Sequence, residues 1–453
     1  MEYYYFKQKE KISLPKKAND PAVTDILHNY TPGIEWEITY SDDDLHIIIG
    51  EPESESRDGF EYVISIGKMG VYIEGGCYKD TIHGFVSLME LIFCYGRRDY
   101  RAECGITRDS AKIGMRAVHL CFFPDFSIAE MEKIIRTCGM AKYSHVVMEF
   151  WGSLKMDSLK ELAWPDAYTK DDIKPLVKSA NALGIEIIPF FQHLGHAALS
   201  RLGYSGKHVV LDQDLELDYL YYPKSRGWVW NFMNDEVREL LRSIRKELIE
   251  LCGEGEYFHL GCDESGIEFD ANDLTSFLGE VSDELKAEGR RAIVWGDMLL
   301  SRSFHELGGY ECNSTPEYAK ALLEGLSKDI IVADWQYNIR KDRPWKSSAL
   351  LKEKGFDVLC CPWQTNQYNS EDAIFTVDQD KHYGLMVTTW NKLFIEGGVY
   401  RMVFAGLCAW GDPAYKCWFS TIGERTYNMY RRVSPRNQKY EDCGWSKYQI
   451  ETN

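Results

Sequence analysis

Tyr257-Phe258-His259-Leu260-Gly261-Cys262-Asp263-Glu264-Ser265 is a short apolar run that ends on two adjacent carboxylates. With helical segments before and after it, the run reads as a buried parallel strand, and Asp263-Glu264 fall at its carboxyl end. In barrels and open α/β sheets the ligand site lies at that end of the strands. Two acids side by side in a cleft oppose each other's ionisation, so one keeps its proton near neutrality and an acid and a base stand together. The alternative is an ordinary polar loop after a strand, and the rest of the chain decides between the two.

Outward from this strand the pattern alternates. Residues 116–121 form an apolar run followed by a helical stretch over 128–138. Residues 144–150 and 185–191 are further strands, the second preceded by a helix that Thr169 and Asp172 open as a capping box and Gly184 closes. Asn234 caps a helix reaching Cys252, with Val237, Leu240, Leu241, Ile244 and Leu248 as its apolar stripe. Beyond Asp263-Glu264 come strands at 292–295, 330–335, 357–361 and 385–390, and helices at 314–326, 345–354 and 399–410. Eight strands alternating with helices predict an α/β fold, a (β/α)8 TIM barrel over residues 111–433. An open doubly wound sheet is the runner-up, but no Gly-rich phosphate loop follows any strand, against its nucleotide-binding form.

Residues 1–110 read differently. Asp20-Pro21 opens a short helix through His28. Strand-like runs follow at 35–40, 45–49, 60–66 and 71–74, then a helix over 81–94 with Ile82, Phe85, Leu88, Met89 and Ile92 on one face. This is a small N-terminal α+β domain, and residues 434–453 read as a polar tail.

Composition sets bounds on partners. The net charge is −18 and no Lys/Arg-rich run occurs, which argues against nucleic acid or an anionic membrane surface. Met1 to Lys7 lack a basic segment followed by an apolar core, so no signal peptide is expected. No stretch of about 18 apolar residues could span a bilayer. The 13 cysteines, an odd number without metal-type spacing, read as reduced core thiols. A cytoplasmic location is the expectation.

On the barrel reading several groups gather at the face that carries Asp263-Glu264. Arg116 comes from the first strand, as a bidentate donor to hydroxyls or as a structural ion-pair partner. Glu149 ends the second strand, and His193-Leu194-Gly195-His196 follow the third. No third ligand motif accompanies the two histidines, so hydrogen-bonded roles are expected rather than a metal. Trp295, Trp335, Trp363 and Trp390 end or follow the last four strands. One such tryptophan is core; four at successive strand ends suggest the walls of a sugar pocket.

His259-Leu260-Gly261-Cys262-Asp263-Glu264 resembles the His-x-Gly-Gly-Asp-Glu signature of glycoside hydrolase family 20, the β-N-acetylhexosaminidases. Pro189-Phe190-Phe191-Gln192-His193-Leu194-Gly195-His196 resembles the family's Pro-Glu-x-Asp-x-Pro-Gly-His, with His196 as the final His. Val294-Trp295-Gly296-Asp297 resembles its Trp-x-Asp segment. Arg116 matches the Arg that grips sugar hydroxyls, Trp335 and Trp390 match stacking tryptophans, and residues 35–94 resemble the domain that precedes this barrel. The resemblance implies exo-acting, substrate-assisted, retaining hydrolysis of terminal β-linked GlcNAc or GalNAc, the alternatives being a same-fold glycosidase of altered hexosamine specificity and a catalytically silent carbohydrate-binding protein. Glu264 is then the acid and base, Asp263 the partner of the acetamide N–H, and a carbohydrate the substrate, with no metal or cofactor. The sequence departs from the pattern in places. Cys262 replaces the second Gly, Gln192 replaces an Asp, and Glu149 or Gly152 stands where a His or Asp is usual. In Cys361-Pro362-Trp363-Gln364-Thr365, Gln364 occupies the place of the Tyr that steadies the acetamide oxygen. Tyr337 is the candidate for that role, with Tyr368 behind it. Asn391-Lys392 replace an outer Glu after Trp390.

Overall fold

A computed structural model describes the chain except residues 96–98, 123–125, 198–209, 211–213, 224, 226, 267–268, 305–306, 338–342, 364–366, 391–392, 394–397, 412–418 and 437–453. Eight parallel strands close into a barrel: β1 (Met115–Cys121), β2 (His145–Glu149), β3 (Glu186–Phe190), β4 (Tyr257–His259), β5 (Arg291–Trp295), β6 (Ile331–Trp335), β7 (Asp357–Cys361) and β8 (Gly384–Thr388). β1 pairs with both β2 and β8, which seals the sheet. One helix packs outside after each strand: α1 (Ile128–Met140), α2 (Lys170–Ala182), α3 (Asp235–Cys252), α4 (Ala271–Ala287), α5 (Pro316–Gly325), α6 (Lys346–Glu353), α7 (Gln367–Asp380) and α8 (Gly398–Trp410).

The strands form because runs such as Ile-Val-Ala-Asp-Trp are covered on both faces, by helices outside and by one another's side chains within. Ala117, Val147, Ile188, Ile293, Ile331, Leu359 and Met386 fill the barrel interior, so it is a packed core. Each buried Val, Ile or Leu of this core is worth about 1.5–3 kcal/mol. The helices start where the sequence places caps. Thr169 and Asp172 make a reciprocal capping box on α2, Ser127 and Glu130 make another on α1, and Asn234 caps α3.

The strand expectations hold to within a residue or two, apart from β4. It keeps only three residues in the ladder, because Gly261 and Cys262 turn to positive φ and carry the chain out of the sheet. Helices α4 and α7 were not marked out by the sequence.

The N-terminal region holds more sheet than its pattern suggests. Six strands pair in the order Glu35–Ser41, Lys9–Pro15, His46–Gly50, Gly70–Gly75, Tyr62–Ile66, Gly105–Asp109. A separate small sheet joins Tyr3–Tyr5, Asp99–Glu103 and Phe93–Tyr95. The amphipathic helix expected over 81–94 runs from Tyr78 to Leu91 and leaves Phe93 to pair as strand. This region abuts the amino end of the barrel: Lys142 Nζ donates to Tyr62 Oη at 3.0 Å, and Trp410 Nε1 donates to Asp109 Oδ2 at 2.8 Å. No helix among the described residues is long and apolar enough to cross a membrane.

Candidate active site

At the carboxyl face of the barrel the backbone is bent at several strand ends. Gly261 (φ 70°), Cys262 (φ 75°) and Glu264 (φ 44°) lie beyond β4, Trp151 (φ 47°) beyond β2, His196 (φ 57°) beyond β3 and Trp390 (φ 46°) beyond β8. A left-handed conformation costs a residue with a Cβ about 1–2 kcal/mol, and such outliers gather at functional sites. A Cβ on Gly261 would stand 1.9 Å from Gln192 Oε1, so a side chain there would force the Gln192 amide to move.

Asp263 is fully buried, whereas the Glu264 side chain is 41 % exposed. His196 lies between them, its Nε2 at 3.5 Å from Asp263 Oδ2 and 3.3 Å from Glu264 Oε2. The Trp228 indole packs edge-on to the His196 ring at 4.1 Å and donates Nε1–H to the Glu264 carbonyl at 2.8 Å. Gln192 bridges two acids: its Nε2 donates to Asp263 Oδ1 at 3.1 Å and to Glu149 Oε1 at 3.3 Å, while its Oε1 accepts from Cys262 N at 3.2 Å.

Strand register explains the next layer. Cys121 of β1 lies opposite Glu149 of β2, and His119 shares their face two residues earlier. His119 Nε2 is 2.8 Å from Glu149 Oε2, Cys121 Sγ is 3.4 Å from the same oxygen, and Trp151 Nε1 donates to Glu149 Oε1. Beyond β5, buried Asp297 accepts the Glu264 backbone N–H at 3.0 Å, Asn313 Nδ2 at 2.8 Å and Trp335 Nε1 at 3.2 Å. Burial, with the neighbouring Asp263 charge second, pushes the Asp297 carboxyl up to about 7.

Aromatic rings line one side. Tyr337 packs between Trp335 (centroids 5.1 Å) and Trp363 (5.3 Å), and its hydroxyl accepts from Trp390 Nε1 at 2.7 Å and Thr388 Oγ1 at 3.1 Å. Trp295 is deeper, 1 % exposed, packed on His259 at 4.5 Å and on Trp390 at 5.6 Å. It is barrel core, packed beneath these rings.

The structure therefore brings Asp263, Glu264, His196 and Glu149 together, with Trp335, Tyr337, Trp363 and Trp390 in a linked aromatic group. Arg116 stands apart. It is the second residue of β1, at the amino end of the barrel, where Nε donates to Lys142 O at 2.8 Å and Nη1 to Ile113 O at 2.7 Å and Gly114 O at 2.8 Å. Its guanidinium also lies 4.9 Å from the Trp410 ring centre. That placement separates it from the acids and the aromatic group at the carboxyl face. Gln364 lies outside the described residues, and Tyr368 is 65 % exposed at the start of α7. His193 is structural, held by Phe191 O at 2.7 Å and Arg245 Nη1 at 3.0 Å.

Four site contributors escaped the sequence reading: His119, Trp228, Asn313 and Asp297 as a carboxylate in contact with Glu264. The inward alternation of Ala117, His119 and Cys121 was a usable signal for the first. Trp228 and Asn313 arrive on irregular segments with no periodicity to betray them. Among the described residues, His119–Cys121–Glu149 and His196–Asp263–Glu264 bring ligand-type atoms within 4.8 Å of one another, as do Glu61, Asp80 and His83 near the barrel's amino end. The first two sets are held by the hydrogen-bond and charge contacts given above.

Residues 140–409 match the family model for the glycosyl hydrolase family 20 catalytic domain. The chain is 20 % identical over 405 residues to a lacto-N-biosidase of Bifidobacterium bifidum, a match spanning 83 % of this chain and 32 % of that protein. The chain thus spans about a third of the length of this curated relative. Among solved structures, the Flavobacterium johnsoniae chitobiase superposes with a TM-score of 0.68 at 15 % identity, over 96 % of this chain and 70 % of that one. The Vibrio harveyi exo-β-N-acetylglucosaminidase, solved with N-acetylglucosamine, gives 0.66 at 15 % identity over 95 % and 74 %. At these identities the structural likeness carries the fold, and the family assignment comes from the sequence match over the barrel. The chain belongs to glycosyl hydrolase family 20.

Proposed function

We propose that the protein is an exo-acting, retaining β-N-acetylhexosaminidase that hydrolyses terminal β-linked GlcNAc or GalNAc with help from the substrate's own acetamide. The observation that carries this reading is the unequal environment of two neighbouring carboxylates. Asp263 is sealed from water and tied to Gln192, while Glu264 is half-exposed, and both reach His196.

In this reading Glu264 donates its proton to the glycosidic oxygen as the C1–O bond breaks and the acetamide oxygen bonds to C1. The product is a cyclic oxazolinium. Asp263 accepts the acetamide N–H and stabilises the positive charge that develops. Glu264, now ionised, takes a proton from the water that attacks C1 and reopens the ring. Two inversions at C1 leave its configuration retained. Exposure suits Glu264, which must meet both leaving group and water; burial suits Asp263, whose charge acts best away from solvent. Tyr337, its oxygen fixed by Trp390 and Thr388, would hold the acetamide carbonyl. Trp335, Trp363 and Trp390 would supply apolar faces for the pyranose.

A second reading, a same-fold glycosidase for another hexosamine-containing glycan, draws on Gln192 and Glu149 at the pocket floor and on the lacto-N-biosidase relative. An aryl β-glycoside panel with and without the 2-acetamido group separates the two. Glu264→Gln should abolish release of the aryl alcohol from aryl β-GlcNAc, by roughly 10²–10⁴-fold. Unchanged turnover in that variant would refute the mechanism.

A further inference from the structure

Asp297 has no task in the scheme above, yet it is only 2 % exposed. A buried carboxylate is costly unless donors surround it, and three do. Oδ2 accepts the Glu264 peptide N–H (3.0 Å) and Asn313 Nδ2 (2.8 Å); Oδ1 accepts Trp335 Nε1 (3.2 Å). The Asn313 N–H also closes onto the Asp297 carbonyl at 2.9 Å, so the turn after β5 is braced at both its backbone and its side chain.

One of those three donors belongs to the residue that must move the proton. Glu264 has φ 44°, a conformation that costs free energy and needs outside support. Support comes from both sides: Asp297 takes its N–H, and Trp228 Nε1 donates to its carbonyl at 2.8 Å. The peptide is pinned while the side chain stays half-exposed. A third link runs to the pocket wall, since the same Asp297 carboxylate holds the Trp335 indole. The acid and the wall against which a sugar would lie are thereby referenced to one group.

The geometry points to Asp297 as the positioning residue for proton transfer: by holding the Glu264 N–H it aims the Glu264 carboxyl at the leaving oxygen. The proposal rests on the hydrolase reading and concerns one step within it, protonation of the leaving group. Asp297 acts only through Glu264 and Trp335.

The test uses the full chain and two β-N-acetylglucosaminides, one with 2,4-dinitrophenol as leaving group and one with an alkyl alcohol. Dinitrophenolate departs without a proton, whereas an alkoxide does not. If Asp297 aims the acid, Asp297→Asn lowers kcat/KM for the alkyl glycoside at least tenfold more than for the dinitrophenyl one, and Asp297→Leu more so. Because kcat/KM reports steps up to the first irreversible one, ring opening by water does not blur the comparison. The ratio of the two values is independent of how much of a variant folds, so a weakened fold does not imitate the effect. Equal losses on both substrates, or no loss on either, would overturn the proposal while leaving the hydrolase reading intact. A wild-type protein inert toward both would instead overturn the β-N-acetylhexosaminidase reading, and this inference with it.

Discussion

Gly261→Ala tests the coupling between backbone shape and the acid cluster. The added Cβ would lie 1.9 Å from Gln192 Oε1, 2.6 Å from its Cδ and 3.0 Å from Phe190 Cε2, at a residue with φ 70°. The left-handed conformation alone costs about 1–2 kcal/mol. Gln192 cannot swing aside without loss, because its amide bonds Asp263, Glu149 and the Cys262 N–H in a site without solvent. A neutral hydrogen bond is worth about 0.5–1.5 kcal/mol net and one to a charged group about 1.5–3 kcal/mol. The expected destabilisation is therefore about 3–5 kcal/mol, with a matching fall in turnover as Asp263 loses its amide partner. Urea titration followed by tryptophan fluorescence reads the first; hydrolysis of an aryl glycoside reads the second. The clash has a direct control. Combining Gly261→Ala with Gln192→Ala removes the obstructing amide, so Gln192→Ala should cost less when Gly261→Ala is already present than in the wild type. Strict additivity, or Gly261→Ala within about 0.5 kcal/mol of wild type, would refute the reasoning.

Two further outcomes follow from placement and charge. Arg116→Met should destabilise the protein by about 3 kcal/mol or more, since two buried carbonyls and a partly buried third lose a charged donor, and the folded fraction should keep its KM; a raised KM with an unchanged urea midpoint would return Arg116 to the substrate. Asp297 titrates near 7 in the fold, against an ordinary carboxyl at 3.8. Between those values the folded chain holds the extra proton, so this group's contribution to stability is fully present below about pH 4 and is withdrawn as pH rises through 7. Asp297→Asn removes that slope, and its stability relative to wild type should improve between pH 5 and pH 8. Parallel urea midpoints at the two pH values would contradict the assignment.

The barrel was legible because its strands are buried on both faces and its helices carry local signals. The Thr169–Asp172 capping box, the Asn234 cap and the apolar stripe of α3 each depend on residues a few positions apart. The strands Lys9–Pro15 and Gly105–Asp109 were missed because Lys9–Pro15 carries charge on its exposed positions and Gly105–Asp109 is a polar edge, exposed along much of its length. Their pairing is decided by partners such as Glu35–Ser41 and Tyr62–Ile66 elsewhere in the chain.

The site divides in the same way. Asp263, Glu264, His196 and Glu149 could be named from the chain because each sits at or just beyond the end of a strand, and barrel closure sends all such ends to one face. The same rule misplaced Arg116, whose strand begins only one residue before it and which therefore stands at the opposite end. What the sequence determined by itself is the barrel and the placing of two adjacent acids, Asp263 and Glu264, just beyond its fourth strand, since both are carried by local periodicity and a contiguous motif. Only the tertiary structure decided that Asp263 is sealed and Glu264 exposed, that Gln192 ties Asp263 to Glu149, and that Asp297 grips the Glu264 peptide. Burial and cross-strand hydrogen bonds are set by residues far apart in the chain, and nothing short of their meeting in three dimensions encodes them.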